Sequence, residues 1–140
     1  MEKFEYEFTV EWGHCDPAGI VFYPNYYVWF DAGSHRLMTA AGFGLRQLSE
    51  KYGIIGPALV SSSCGYKKPV SYGDILQHSV RVSEWGERVF VIAHTLTLAG
   101  EIAADGHEKR ICLKREADGR IRAIPVPSEF RHAIESLCAS

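Results

Sequence analysis

The stretch Pro24 to Ala41 mixes Tyr27, Phe30, Ala32 and Leu37 with Asn25, Asp31, Ser34, His35 and Arg36 at helical spacing, and from Ala58 onward almost every segment reads as strand. Pro24 suits a first helical position and Gly42 a stop. One long helix followed by successive hairpin strands can cover only one face of a sheet. The expected class is therefore α+β, an antiparallel sheet wrapped around one long central helix. A strand precedes the helix: Phe4, Tyr6, Phe8, Val10 and Trp12 alternate with Glu5, Glu7, Thr9 and Glu11, and period two puts the first set on a buried face. After the helix, Leu45 to Tyr52 reads as a short second helix. Ala58 to Val70, Ile75 to Trp85, Arg88 to Leu98, Glu108 to Arg115 and Arg120 to Val126 read as extended. Pro69 is expected to end its strand or lie at its edge, and Gly100 to Gly106 reads less cleanly. Pro127-Ser128-Glu129 opens a terminal helix with Phe130, Ala133, Ile134 and Leu137 on one face.

Composition narrows what such a fold can do. At 140 residues, 46% hydrophobic and 23% charged, the chain is expected to form one domain, 1–140, with a core that needs no disulfide or structural metal. Fifteen Lys and Arg against 17 Asp and Glu leave a net charge of −2. No global field draws the chain to nucleic acid or an anionic membrane, and a polyanionic ligand needs a local basic patch. Apolar runs such as Val89 to Ala93 fall far short of the ~20 residues that span a bilayer, and the acidic start Met-Glu-Lys-Phe-Glu-Tyr-Glu lacks the apolar segment of an export signal. A cytoplasmic location is expected, with Cys15, Cys64, Cys112 and Cys138 as scattered reduced thiols.

The richest chemistry lies in His14-Cys15-Asp16-Pro17-Ala18-Gly19-Ile20-Val21-Phe22-Tyr23-Pro24-Asn25-Tyr26-Tyr27. Two glycines and a proline make the first part a loop, so Asp16 stands between a strand end and a helix start. A helix start offers free N–H donors and partial positive charge, both suited to an oxygen that becomes anionic. A carboxylate near such donors can attack a carbonyl or activate water to do so. The same residue can also do no more than cap a turn before Pro17. No metal is expected: neighbours in an extended chain point apart, and His35, His78, His94, His107 and His132 are far apart in sequence. A Cys15 nucleophile would need a positioned base.

The segment Asp16-Pro17-Ala18-Gly19-Ile20-Val21-Phe22-Tyr23-Pro24-Asn25-Tyr26 strongly resembles the active-site segment of the 4-hydroxybenzoyl-CoA thioesterase family of hotdog-fold proteins. The similarity continues through Asp31-Ala32, Ile54-Ile55-Gly56, Glu84-Trp85 with Phe90-Val91, and Arg120-Ile121-Arg122-Ala123-Ile124 before Pro127. It implies a hotdog fold and hydrolysis of an aryl, 4-hydroxybenzoyl-type CoA thioester to free acid and CoA. It also implies Asp16 as nucleophile or general base, with the carbonyl oxygen polarised by the backbone N–H of Tyr23. Pro24 has no N–H, which makes the residues just before it the natural donors. Arg88 matches a family position that holds CoA phosphates, and Asp31 one that can orient a ring substituent or pair with a neighbouring subunit. Lys67, Lys68, Lys114, Arg115 and Arg120 are further basic candidates. No cofactor is implied, and the assembly implied is a homotetramer, a dimer of dimers with active sites at the interface.

Three other readings compete. A broad thioesterase for short aliphatic acyl-CoAs would share the machinery and differ in pocket depth. A non-catalytic acyl-CoA binder would not need Asp16 in that loop. A hydratase or dehydratase of the same fold needs an acid and a His on different elements, and no such motif is found.

Overall fold

In the computed structural model, which describes residues 4–139, the alternating N-terminal segment forms β1 (Phe4–Thr9). Its ladder ends earlier than the alternation suggests: Gly13 lets the chain turn through a 3₁₀ turn at Trp12–His14. Val10 is buried as expected, but Trp12 is turned outward and 74% exposed. The helix α1 (Pro24–Ala40) follows, with Pro24 in its first turn, and α2 (Leu45–Tyr52) is closed by Gly53.

The strands are β2 (Ile54–Tyr66), β3 (Ile75–Trp85), β4 (Val89–Leu98), β5 (Glu101–Arg115) and β6 (Ile121–Ala123), before α3 (Ser128–Ala139). All pair antiparallel in the order β1-β3-β4-β5-β2, with β6 beside the end of β5. Several boundaries differ from the sequence reading: β2 ends at Tyr66, short of the expected Val70 and before Pro69, and β6 ends at Ala123, short of Val126. β2 starts at Ile54 and tolerates Pro57 because it is an edge strand and its ladder shifts register on either side of that residue. β5 is one unbroken strand where Gly100 to Gly106 read unclearly. Gly106 sits inside it because a Cβ there would lie 2.0 Å from the Ser63 carbonyl oxygen and 2.9 Å from the Phe30 ring.

The sheet curls around α1, which buries Tyr26, Trp29, Phe30, Gly33, Ser34, Leu37 and Met38. Two apolar clusters result. One gathers Leu37, Met38, Leu48, Val80, Phe90, Ile92, Phe130 and Ile134 beneath the C-terminal half of α1. The other gathers Val10, Val21, Tyr26, Trp29, Phe30, Leu76 and Leu96 beneath its N-terminal half. Among the described residues, no helix is long and apolar enough to cross a membrane.

Candidate active site

The loop between β1 and α1 is a built structure. The Glu11 N–H donates to His14 Nδ1 at 2.9 Å, and the His14 ring packs edge-on against Trp29 at 5.2 Å. The His14 carbonyl accepts from the Phe22 N–H at 2.9 Å and from Asn25 Nδ2 at 2.8 Å. His14 therefore locks the loop to α1 and is not a chemical partner of Cys15 or Asp16. Cys15 pairs with Val21 across the loop, and the Asp16 N–H donates to the Ile20 carbonyl at 3.0 Å. The tight turn so enclosed needs Gly19 at φ +83, where a side chain would be strained.

Within that turn the half-buried Asp16 is held at one oxygen only. Oδ1 accepts the Ala18 N–H at 2.9 Å, and among the described residues no donor is paired with Oδ2. The turn-cap bond therefore occupies one carboxylate oxygen and leaves the other open. At the other end of the loop the Phe22 N–H is spent on His14, Asn25 N–H donates to the Phe22 carbonyl and Tyr26 N–H to the Tyr23 carbonyl. The Tyr23 N–H, among the described residues, has no acceptor, and Pro24 has no N–H. One loop thus presents a carboxylate oxygen and a backbone donor at the positive end of α1, the two groups that acyl transfer needs.

The other two expected site residues lie elsewhere. Arg88 is in the turn between β3 and β4, with Glu87 at 4.0 Å. β3 begins beside the Asp16 loop and runs 11 residues, roughly 35 Å at ~3.3 Å each. One chain does not bring Arg88 and Asp16 together. Asp31, two helical turns beyond Tyr23, is about half exposed and forms an ion pair with Arg110 Nη2 at 2.8 Å. His35 Nε2 lies 3.4 Å from the same oxygen.

The model of the thioesterase-like superfamily matches residues 10–134. The chain belongs to that superfamily. A 4-hydroxybenzoyl-CoA thioesterase of Pseudomonas sp. (strain CBS-3) is 35% identical over 126 residues, covering 86% of this chain and 89% of the relative. The structure of a 4-hydroxybenzoyl CoA thioesterase carrying an Asp→Asn mutation, complexed with 4-hydroxybenzoyl CoA, superposes with a TM-score of 0.88 at 29% identity, covering 96% and 99% of the two chains. A gentisyl-coenzyme A thioesterase superposes with a TM-score of 0.82 at 34% identity, covering 94% and 99%. These likenesses establish the hotdog fold for this chain.

Beneath α1 this thioesterase-like chain carries a buried polar relay that sequence spacing did not reveal. The Tyr6 hydroxyl meets His78 Nδ1 at 2.7 Å, His78 Nε2 meets His94 Nδ1 at 2.8 Å, and His94 Nε2 meets Glu108 Oε1 at 2.9 Å. Ser34 on α1 donates to the same Glu108 oxygen. Glu108 Oε2 accepts from Arg110 Nη2 at 2.8 Å, and Arg110 Nη1 donates to the Pro57 carbonyl at 2.8 Å. Burial pushes the Glu108 carboxyl up, but hydrogen bonds from His94 and Ser34 and the Arg110 charge outweigh it and leave it at about 2. Burial holds His78 down at about 3 and lowers His94 as well. An ionised Glu108 accepts a hydrogen bond from His94 Nε2–H, so His94 Nδ1 accepts from His78 and His78 Nδ1 accepts from Tyr6. Both histidines are thereby neutral. Although 16 residues apart, they meet because the hairpin pairs Val80 with His94 and His78 with Leu96. Period two already places both inward, and reading the hairpin register would have found the contact. No group of three or more His, Cys, Asp or Glu among the described residues can hold a metal ion.

Proposed function

We propose that this chain is a cytoplasmic acyl-CoA thioesterase that hydrolyses an aryl, 4-hydroxybenzoyl-type CoA thioester to the free acid and CoA. The observation that carries this reading is the presence, in one loop, of an Asp16 oxygen without a donor and a Tyr23 N–H without an acceptor among the described residues. The thioester carbonyl oxygen lies on the Tyr23 N–H while Asp16 Oδ2 attacks the carbonyl carbon or takes a proton from the water that does. Charge developing on that oxygen is met by a donor fixed before the reaction. Thiolate is a good leaving group, so no strong acid is needed. If Asp16 attacks, the mixed anhydride formed is cleaved by water, which restores the carboxylate. The 4-hydroxybenzoyl CoA bound to an Asp→Asn variant of a solved relative supports a carboxylate-dependent step.

The functional unit in this proposal is a homotetramer, a dimer of dimers. Arg88, assigned to the CoA phosphates, is remote from Asp16 within one chain, so a bound CoA reaches both only across a subunit boundary. Asp31 is assigned to the acyl side of the site. Asp16→Asn tests the reading, because the amide oxygen still accepts from the Ala18 N–H and keeps the turn while nucleophilicity and basicity are lost. CoA thiol release from 4-hydroxybenzoyl-CoA should fall at least about a hundredfold in kcat, the usual cost of losing a nucleophile or base, with KM little changed. More than a tenth of wild-type kcat in a folded variant refutes the assignment.

A further inference from the structure

Three tyrosines stand where α1 approaches the end of β2. Tyr26 is buried, and its ring meets Tyr66 edge-on at 5.0 Å and 71°. Tyr66 itself is 50% exposed, so one side of its ring is fixed by Tyr26 and the other faces outward. The Cys64 thiol and the Tyr27 phenol lie near enough to the Tyr66 phenol to add to burial in raising its pKa. The site loop is adjacent: Cys64 and Cys15 both lie near enough to the Tyr26 phenol to add to burial in raising its pKa, Cys15 precedes Asp16, and the Val21 N–H donates to the Val70 carbonyl at 2.8 Å. Tyr27 lies four residues after Tyr23, one helical turn or about 5.4 Å along α1. A ring on a carbonyl held at the Tyr23 N–H that ran along α1 would meet Tyr27 one turn on, with Tyr66 against the neighbouring Tyr26.

The hydrolytic step proposed above uses neither the Tyr27 nor the Tyr66 hydroxyl. Phenylalanine at 66 would keep the edge-on contact with Tyr26. Burial pushes the Tyr66 phenol well above its usual range and the Cys64 thiol up to about 11, so both are protonated donors at neutral pH. We propose that Tyr66, oriented by Tyr26 and Tyr27, is a specificity-determining residue that hydrogen-bonds a hydroxyl on the acyl ring and selects hydroxylated over unsubstituted aryl-CoA. This inference rests on the function proposed above.

The test compares kcat/KM for benzoyl-CoA and for 2-, 3- and 4-hydroxybenzoyl-CoA in the wild-type chain, Tyr66→Phe and Tyr27→Phe, following CoA thiol release. Wild type should prefer at least one hydroxybenzoyl-CoA. Tyr66→Phe should lower kcat/KM for that substrate about 3- to 10-fold, the worth of one neutral hydrogen bond, and leave benzoyl-CoA within about twofold. Tyr27→Phe should give a smaller loss of the same selectivity. Equal loss on every substrate would make Tyr66 merely structural, and no loss on any would remove it from the acyl site; either overturns the inference while the hydrolytic reading stands. A wild-type chain that cleaves none of the four overturns both.

Discussion

Glu108 is the residue whose loss the structure prices most clearly. It is 2% exposed and accepts from His94, Ser34 and Arg110. In Glu108→Ala the His94 and Ser34 donors are left with each other at 3.2 Å, and Arg110, itself 3% exposed with its Nε without a partner among the described residues, keeps the half-exposed Asp31 and the Pro57 carbonyl. Removing one member of a buried ion pair costs about 3–5 kcal/mol, a large part of the ~5–15 kcal/mol that holds a domain together. The melting temperature should fall roughly 10–20 °C at a few degrees per kcal/mol. Glu108→Gln keeps the volume and should cost less than Ala. Urea unfolding with a shared m-value measures both, and a loss below about 1 kcal/mol for Glu108→Ala refutes the assigned role. The relay also sets the acid limit of the wild-type fold. Glu108 titrates at about 2 when folded against a usual 4.5, so its contribution is whole above pH 4.5 and is lost as pH falls through 2. His78 titrates at about 3 against 6.5. The unfolded chain takes that proton first, and stability falls as pH drops from 6.5 toward 3. Both effects have one sign, up to about 1.4 kcal/mol per pH unit for each group. Stability should be flat near pH 7–8 and decline from about 6.5; a decline starting only near 4.5 would show that His78 is not held neutral.

Gly106→Ala should destabilise by at least about 2 kcal/mol in chemical denaturation, because the new Cβ meets backbone atoms of Ser63 and Cys64; a cost below about 0.5 kcal/mol would mean that β5 and β2 part freely. Sedimentation should give a tetramer, since the edge strand β2 exposes Leu59 and Val60 and leaves a ladder side for another copy; a monomer at micromolar concentration contradicts the assembly.

The parts of this fold legible in the sequence are those where one local pattern rules. Alternation in β1, the helical spacing of α1 and the hairpin of β3 and β4 all appear within a few residues of their expected bounds. The misreadings fall where a distant contact overrides the local signal. Gly106 looks like a breaker but is required by the backbone of β2, and Pro57 looks unfit for a strand but lies at an edge. Trp12 continues a perfect alternation yet faces out, because Gly13 turns the chain before the ladder can continue. The segment between β1 and α1 was legible as a loop because Gly13, Pro17 and Gly19 interrupt the alternation within seven residues. The Glu108 and Arg110 cluster was not, since its partners come from α1, β3, β4 and β5.

The position of that cluster explains why a core would retain charge at all. His78, His94 and Glu108 cross β3, β4 and β5 on a diagonal between the two apolar clusters, and α1 rests on this seam at Gly33 and Ser34. A Cβ at Gly33 would lie 2.3 Å from His78 Cε1, so the helix is as close to the sheet there as a backbone can come. Apolar ridges alone let a helix settle in neighbouring registers at small cost, whereas the Ser34 bond to Glu108 is satisfied in one register only. Sliding α1 by a turn, about 5.4 Å, would strand the buried Ser34 hydroxyl and part Asp31 from Arg110. The same helix carries the Tyr23 N–H at its start and Asp31 two turns on, the latter held by the far end of the same cluster through Arg110. The relay therefore does for the site what hydrophobic burial cannot: it fixes where along the sheet the helix, and with it the N–H donor, must stand.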